Sequence, residues 1–221
     1  INVYLNVSDM CDKNQNGAKM DPSKGYMFIC PNSSGSLDVI AHEFTHHLTH
    51  KIGPKGGHGA EATALNESYS DIFAAFITNY YNQGSDDFND PWVISFDDDG
   101  EYLIRDIRNL PNGGYPNNYQ KWIRPSALNK NCTKGMLGLT KDSDEAKIDC
   151  AHVNSTIHTY AAYLIEQEIG FDKTEKIFYH TLMNGFLAPN DDFFLARKYT
   201  HRACIDLMNK GLLDISQQDC D

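Results

Sequence analysis

The sequence reads as α+β: a small β-containing N-terminal part followed by a mainly helical lobe. Three observations predict this. Residues 1–35 are turn-rich and hold only short alternating or β-prone runs. Apolar residues then recur at helical spacing through two long stretches between Leu37 and Tyr81. After an irregular acidic segment, three more helical patterns close the chain, each ending at a glycine. The 221 residues are enough to bury a real core as one domain or two closely packed lobes, and we expect a single domain over 1–221.

In order, Ile1–Val7 alternates apolar and polar, and Tyr26–Cys30 is a β-prone run between turn clusters. Residues 1–35 are therefore expected to form a β-rich edge. A first helix is expected over Leu37–Thr49, with Ser34 or Ser36 as N-cap and Gly53-Pro54 as the stop. Gly56–Gly59 reads as a loop. A second helix should run from about Glu61 to Tyr81, with Ala64, Leu65, Ile72, Phe73, Phe76 and Ile77 as its buried stripe. Residues 82–150 carry Asp86, Asp87, Asp90 and Asp97–Asp99 with little periodicity, as a functional loop or inserted arm would. The helical lobe, 151–221, is expected to hold Asn154–Glu168, Lys173–Asn184 and Asp192–Lys210.

Bulk composition excludes several classes. The 41% hydrophobic and 22% charged fractions are those of an ordinary globular protein, and no run reaches the length of a membrane span. A net charge of −11 argues against a nucleic-acid partner, which would want a basic face. The acidity reads as a solvated surface, with carboxylate calcium sites as the alternative. Asp12-Lys13-Asn14-Gln15-Asn16-Gly17 imitates the start of a calcium loop, but Ser23 stands where the bidentate glutamate belongs, so it reads as a turn. Six cysteines without a C-x-x-C pair indicate three disulfides in an oxidising compartment, hence secretion. The expected pairs are sequence neighbours: Cys11–Cys30, Cys132–Cys150 and Cys204–Cys220. A secretory leader would then lie ahead of Ile1 or have been removed. Sequons stand at Asn6, Asn32, Asn66, Asn131 and Asn154, of which Asn66 and Asn154 should be buried.

The chemistry lies in His42-Glu43-Phe44-Thr45-His46 and Asn66-Glu67-Ser68-Tyr69-Ser70-Asp71. Histidines four apart on a helix share one face, so His42 and His46 can reach one metal ion. Glu43 is placed to act on water rather than on the metal. Glu67, 21 positions after His46, supplies a carboxylate from a second helix. Two His and one Glu leave zinc an open fourth position, the pattern of a catalytic rather than a structural site. Asp71, one turn beyond Glu67, can accept from the far nitrogen of a ligating histidine. His47 points about 100° away from His46, and neither it nor His50 should ligate the same ion. His158, His180 and His201 read as structural.

These motifs resemble the thermolysin-like zinc metallopeptidases, in which glutamate is the third ligand. Further segments match in family order. Asp38 resembles the acidic residue opening the active-site helix. Ile104-Arg105-Asp106-Ile107 resembles the segment whose arginine binds a substrate carbonyl, and Ala151-His152-Val153-Asn154-Ser155 the one carrying the transition-state histidine. Ala161–Leu164 continues that same helix and Lys176–Tyr179 matches a later one, so the likeness runs from about Ser36 to Lys210. The resemblance implies one zinc held by His42, His46 and Glu67, Glu43 as general base, and His152 on the oxyanion. Asn66, Asp71 and Asp149 would be supporting groups, with Asp144 behind Asp149. Arg105 would clamp substrate, and Val39, Ile94 and Ile104 would line an apolar pocket. The implied reaction is hydrolysis of protein or peptide substrates on the amino side of bulky hydrophobic residues.

The departures from the family are informative. The family tyrosine that also supports the oxyanion falls near His58, which would be vacant or filled by His58 itself. The calcium pair is eroded, with Thr78 about where a glutamate belongs, so one calcium or none is expected. The family's N-terminal β lobe is mostly missing before Ile1, so the chain reads as a reduced core or as part of a longer protein. A prodomain or an additional lobe would then complete the cleft. Two rivals remain: a weakly catalytic zinc-binding interaction module, and an aminopeptidase of the same ligand type. The latter needs an exopeptidase motif whose Glu and Asn are lacking from Gly25-Tyr26-Met27-Phe28.

Overall fold

Two polar-faced helices form the spine of the molecule. In the computed structural model the described residues are 1–5, 11, 17–33, 35–55, 60–83, 90–95, 103–110, 115–123, 143–212 and 214–221, with backbone alone for 95, 103, 104 and 143–149. Helix α1 spans Leu37–Ile52 and helix α2 spans Ala60–Asn82. Helix α3 (Ser143–Ile169) packs along α2 as extensively as α1 does. Helices α4 (Phe171–Met183), α5 (Phe193–Asn209) and the short α6 (Gln217–Cys220) complete the helical part.

The N-terminal part is a three-stranded sheet of β1 (Asn2–Leu5), β2 (Ala18–Asp21) and β3 (Tyr26–Ile29), in the order β1-β3-β2. β1 runs parallel to β3, and β2 antiparallel to it. Met20, Met27 and Ile29 turn their side chains toward Ile40 of α1, which seats the sheet beside the H-E-x-x-H helix. Tyr4, Tyr26 and Phe28 cluster together, with Tyr4 stacked on Phe28 at 5.3 Å. A two-stranded sheet, β4 (Val93–Ser95) with β5 (Leu103–Asp106), brings Ile94 opposite Arg105.

The α+β plan holds, and several boundaries move. The second helix is buried on nearly every side rather than along one stripe, because α1 and α3 both cover it. Phe73 and Ile77 are only partly buried. Ser36 is the N-cap of α1, but its side chain makes no capping bond. The third helix does not begin at Asn154; it starts at Ser143, inside the segment read as irregular. Asn154 is spent elsewhere: its side chain accepts from Ile123 N at 2.9 Å and donates to Ile123 O at 2.8 Å, clamping the incoming loop to the helix. α3 passes directly into α4 at Gly170, whose φ of 82° is a conformation glycine adopts readily. Asp192 does cap its helix, accepting from Leu195 N at 2.9 Å. Strands β2, β4 and β5 and helix α6 had no periodic signal long enough to read.

The core joins Tyr69, Ile72 and Phe76 of α2 with Phe178 and Leu182 of α4, and Trp92 and Leu110 close it from the loops. Phe178 is 1% exposed, so truncation to Ala would cost about 3–5 kcal/mol. Gly53 ends α1 against this core. A Cβ there would stand 2.5 Å from Leu182, which is fully buried and has little room to move. Disulfides join Cys11 to Cys30 and Cys204 to Cys220, with Cα atoms 5.7 and 5.6 Å apart. Cys150 is also disulfide-bonded; Cys132, its expected partner, lies outside the described residues. The Cys204–Cys220 bond closes a loop worth about 3 kcal/mol of unfolded-chain entropy and ties α6 to α5. Of the sequons, Asn66 and Asn154 are buried and Asn32 is exposed, while Asn6 and Asn131 lie outside the described residues. The calcium-loop imitation at 12–16 and the loop at 56–59 lie outside them too. Among the described residues no helix is long and apolar enough to cross a membrane.

Candidate active site

His42 and His46 face α2 because the buried side of α1 is polar: His42, Thr45 and Thr49 all lie on it. Thr45 and Thr49 return their hydroxyls to the carbonyls of Ala41 and Thr45, so neither hydroxyl is left unpaired. From α2, Glu67 meets the two imidazoles. His42 Nε2 and His46 Nε2 are 3.1 Å apart, and Glu67 Oε2 is 3.3 Å from the first and 3.5 Å from the second. Ligand atoms around a tetrahedral zinc with bonds of about 2.0–2.1 Å stand about 3.4 Å apart. Glu67 Oε2 is buried and no neighbour is aligned with it as a hydrogen bond. Three converging donor atoms around an orphaned carboxylate oxygen fit a zinc ion.

Glu43 also offers a carboxylate oxygen within 4.8 Å of a ring nitrogen of each histidine. Two carboxylates therefore compete for the third-ligand position. Glu67 is the better fit, being closer to both rings and buried where its oxygen has no other partner. Glu43 is only half-buried and remains available to solvent-borne groups.

The far nitrogens of both rings are anchored from α2. Asp71 Oδ1 lies 2.8 Å from His42 Nδ1, and Asn66 Oδ1 2.7 Å from His46 Nδ1. Asn66 is fixed in turn, donating to Thr49 Oγ1 at 2.7 Å and Pro54 O at 2.9 Å. Such partners set ring tautomer and orientation. Arg105 reaches the same network from β5, donating from Nη2 to Asp71 Oδ1 at 2.6 Å. It is only 3% exposed. The residue read as a substrate clamp is thus engaged with Asp71, while its buried Nε has no hydrogen-bond partner.

His152, on α3, brings Nε2 to 3.2 Å from Glu67 Oε2. Val39 and Ile94 are both buried, on α1 and β4. The side chains of Ile104 and Asp149 lie outside the described residues, as does the whole of His58. Asp38 stands in the first turn of α1 and Thr78 is buried late in α2. Two groups escaped the sequence reading. Ser70 Oγ is 3.1 Å from His46 Nδ1, and it could have been found as the residue one turn after Asn66. Thr49, bonded to Asn66, carried no sequence signal.

The electrostatics follow from burial opposed by charge. Burial pushes the His42 ring down, yet the hydrogen bond to Asp71 and the nearby carboxylates of Asp71 and Glu67 outweigh it and raise it to about 10. His46 behaves likewise: burial lowers it, and the charge of Glu67 leaves it raised overall. Burial would raise Glu67, but His152 and His46 hold it well below the usual carboxylate range. Asp71, also raised by burial, is brought down by Arg105. Without metal the His42 ring therefore holds a proton more tightly than a free imidazole, and metal binding there must displace it.

Residues 58–217 match the model of the thermolysin metallopeptidase α-helical domain. That span takes in Glu67, Asp71, Arg105 and His152 but begins after His42 and His46. The chain is 28% identical over 179 residues to extracellular elastase of Staphylococcus epidermidis, covering 81% of this chain and 30% of that protein. It is 30% identical over 175 residues to bacillolysin of Bacillus amyloliquefaciens, covering 79% of this chain and 28% of that one. The chain thus spans under a third of the length of either relative. Its fold is similar to that of the precursor of protealysin from Serratia proteamaculans, with a TM-score of 0.64 at 18% identity, over 92% of this chain and 62% of that one. With the family model matched over most of its length, the chain belongs to the thermolysin metallopeptidases and carries their α-helical domain.

Proposed function

We propose that this chain is the catalytic core of a secreted zinc-dependent endopeptidase acting on protein or peptide substrates. The observation that carries this is the 3.1–3.5 Å triangle of His42 Nε2, His46 Nε2 and Glu67 Oε2. One zinc ion would be held by those three atoms; when bound, it supplies a Lewis acid for the scissile carbonyl and for water. Glu43, half-buried beside the two rings, takes the proton of the attacking water and returns it to the leaving amine. His152 Nε2–H donates to the developing oxyanion. Asp71 and Asn66 keep the two rings turned toward the ion, and Arg105 holds Asp71. Val39, Ile94 and Ile104 favour cleavage on the amino side of bulky apolar residues. Disulfides in the fold and an extracellular relative support secretion. A prodomain or further lobe as partner is consistent with the share of its relatives that this chain spans.

Glu43→Gln tests the reading. Zinc content should stay at one ion per chain while hydrolysis of casein or a quenched peptide falls by about 10²–10⁴-fold, the usual worth of a general base. A wild-type protein that binds zinc and cleaves nothing would instead be an interaction module. Release of single N-terminal residues alone would mark an aminopeptidase. A peptide library showing preference for charged residues after the cleaved bond would overturn the pocket assignment.

A further inference from the structure

Both histidines of the site have an anchor of their own; the carboxylate has a different kind of neighbour. His42 Nδ1 is held by Asp71, and His46 Nδ1 by Asn66 and Ser70, all from α2. Glu67 Oε2 touches three imidazole nitrogens, two of which belong to the ligand set. The third is His152 Nε2, 3.2 Å away and delivered from α3. A glutamate side chain has several rotatable bonds, and holding it in one ligating rotamer costs entropy unless something fixes it. The backbone at His152 is itself well held. Ala151 and Val153 on either side are buried, the Asn154 clamp lies two residues on, and Thr156 donates to Pro116 O at 2.6 Å.

We infer that His152 is a positioning residue for Glu67: the polar contact of its Nε2 with Oε2 keeps the carboxylate turned toward His42 and His46. Metal affinity then depends on a side chain that is not itself a ligand, in addition to its proposed work on the oxyanion. The inference rests on the reading of His42, His46 and Glu67 as the metal set. It also makes α3 part of the metal centre, adding a contact at Glu67 to the packing that already joins α3 to α2.

The test is a zinc titration of the full chain against a chromophoric chelator, for wild type, His152→Leu and His152→Gln. Leu keeps the bulk and removes the polar nitrogen in contact with Oε2; Gln returns a polar nitrogen near the position of Nε2. Circular dichroism of each metal-free protein confirms folding. Leu should lower zinc affinity about 10–100-fold, the usual worth of a group orienting a ligand, while Gln stays within about threefold of wild type. Wild type and Leu binding zinc equally would overturn the inference and leave the ligand set standing. Equal losses in Leu and Gln would also overturn it, since shape rather than the polar nitrogen would then be at work. X-ray absorption showing three imidazoles on the wild-type metal would make His152 a ligand and end the positioning role. A wild type that takes up no zinc would remove the ligand set and this inference together.

Discussion

Helix α2 has two polar flanks, and a buried histidine meets each of them to opposite effect. Toward α1, His42 lies against Glu67 and Asp71 and its ring is raised to about 10 despite burial. Toward α3, His158 meets only neutral groups: Ser68 Oγ is 2.8 Å from its Nδ1, and Tyr69, Phe178 and Phe193 surround the ring. Burial pushes that ring down to about 4. Both histidines are nearly inaccessible, at 6% and 8% exposure, so burial does not separate them. Carboxylate neighbours do. On one flank the charges converge on an oxygen that lacks a hydrogen bond; on the other, Ser68 meets both His158 Nδ1 and Thr159 Oγ1, the latter at 2.9 Å. The first flank gathers charge around one buried oxygen, and the second joins two helices.

The contrast can be broken most strongly at Asp71. Asp71→Asn leaves Arg105 buried beside a neutral partner, and urea unfolding of the metal-free protein should show a loss of about 3–5 kcal/mol. Zinc affinity should fall about 10–100-fold in the same variant, read by chelator competition. His158→Leu is the counterpart on the neutral flank. It should cost about 1–3 kcal/mol, toward the low end because Ser68 keeps Thr159, with zinc affinity unchanged.

pH dependence sharpens the same pair. In the metal-free protein His42 is raised from 6.5 to about 10, so its contribution is fully present below pH 6.5 and is lost as pH rises toward 10. His158 is lowered from 6.5 to about 4, so stability is complete above pH 6.5 on its account and declines as pH falls toward 4. Melting temperatures of chelator-treated protein should therefore lose part of their acid-side decline in His158→Leu. Asp71→Asn should lose part of the alkaline-side decline instead. Ser70→Ala is the mildest change. It removes one of two contacts to His46 Nδ1 and leaves Asn66, so zinc affinity should drop by at most about tenfold.

Much of the helical part was legible because helices write a local, repeating pattern. The four long helical patterns beyond the first differ from the structure by a residue or two at most ends, and Asp192 caps as its type suggests. The start of α3 was not legible, because Asn154 looks like a cap and is used as a clamp on Ile123. β2, β4 and β5 are three or four residues long, too short for a period-2 signal to rise above chance. Within the site, helical spacing alone put His42 beside His46, and Glu67 on one face with Asp71. The choice of Glu67 over Glu43 as third ligand came from the motif pair and the family resemblance.

By itself the sequence determined the α+β class and the family and named the candidate site residues, since these depend on periodicity and on chemistry carried within a few residues. Only tertiary structure decided how closely Glu67 Oε2 approaches both imidazoles, that Arg105 is engaged with Asp71, and that His152 reaches Glu67 from α3. Each of those contacts joins side chains from different elements and depends on distances of a few ångströms across a packed interface. A local pattern does not encode them; the mutual burial of α1, α2 and α3 does.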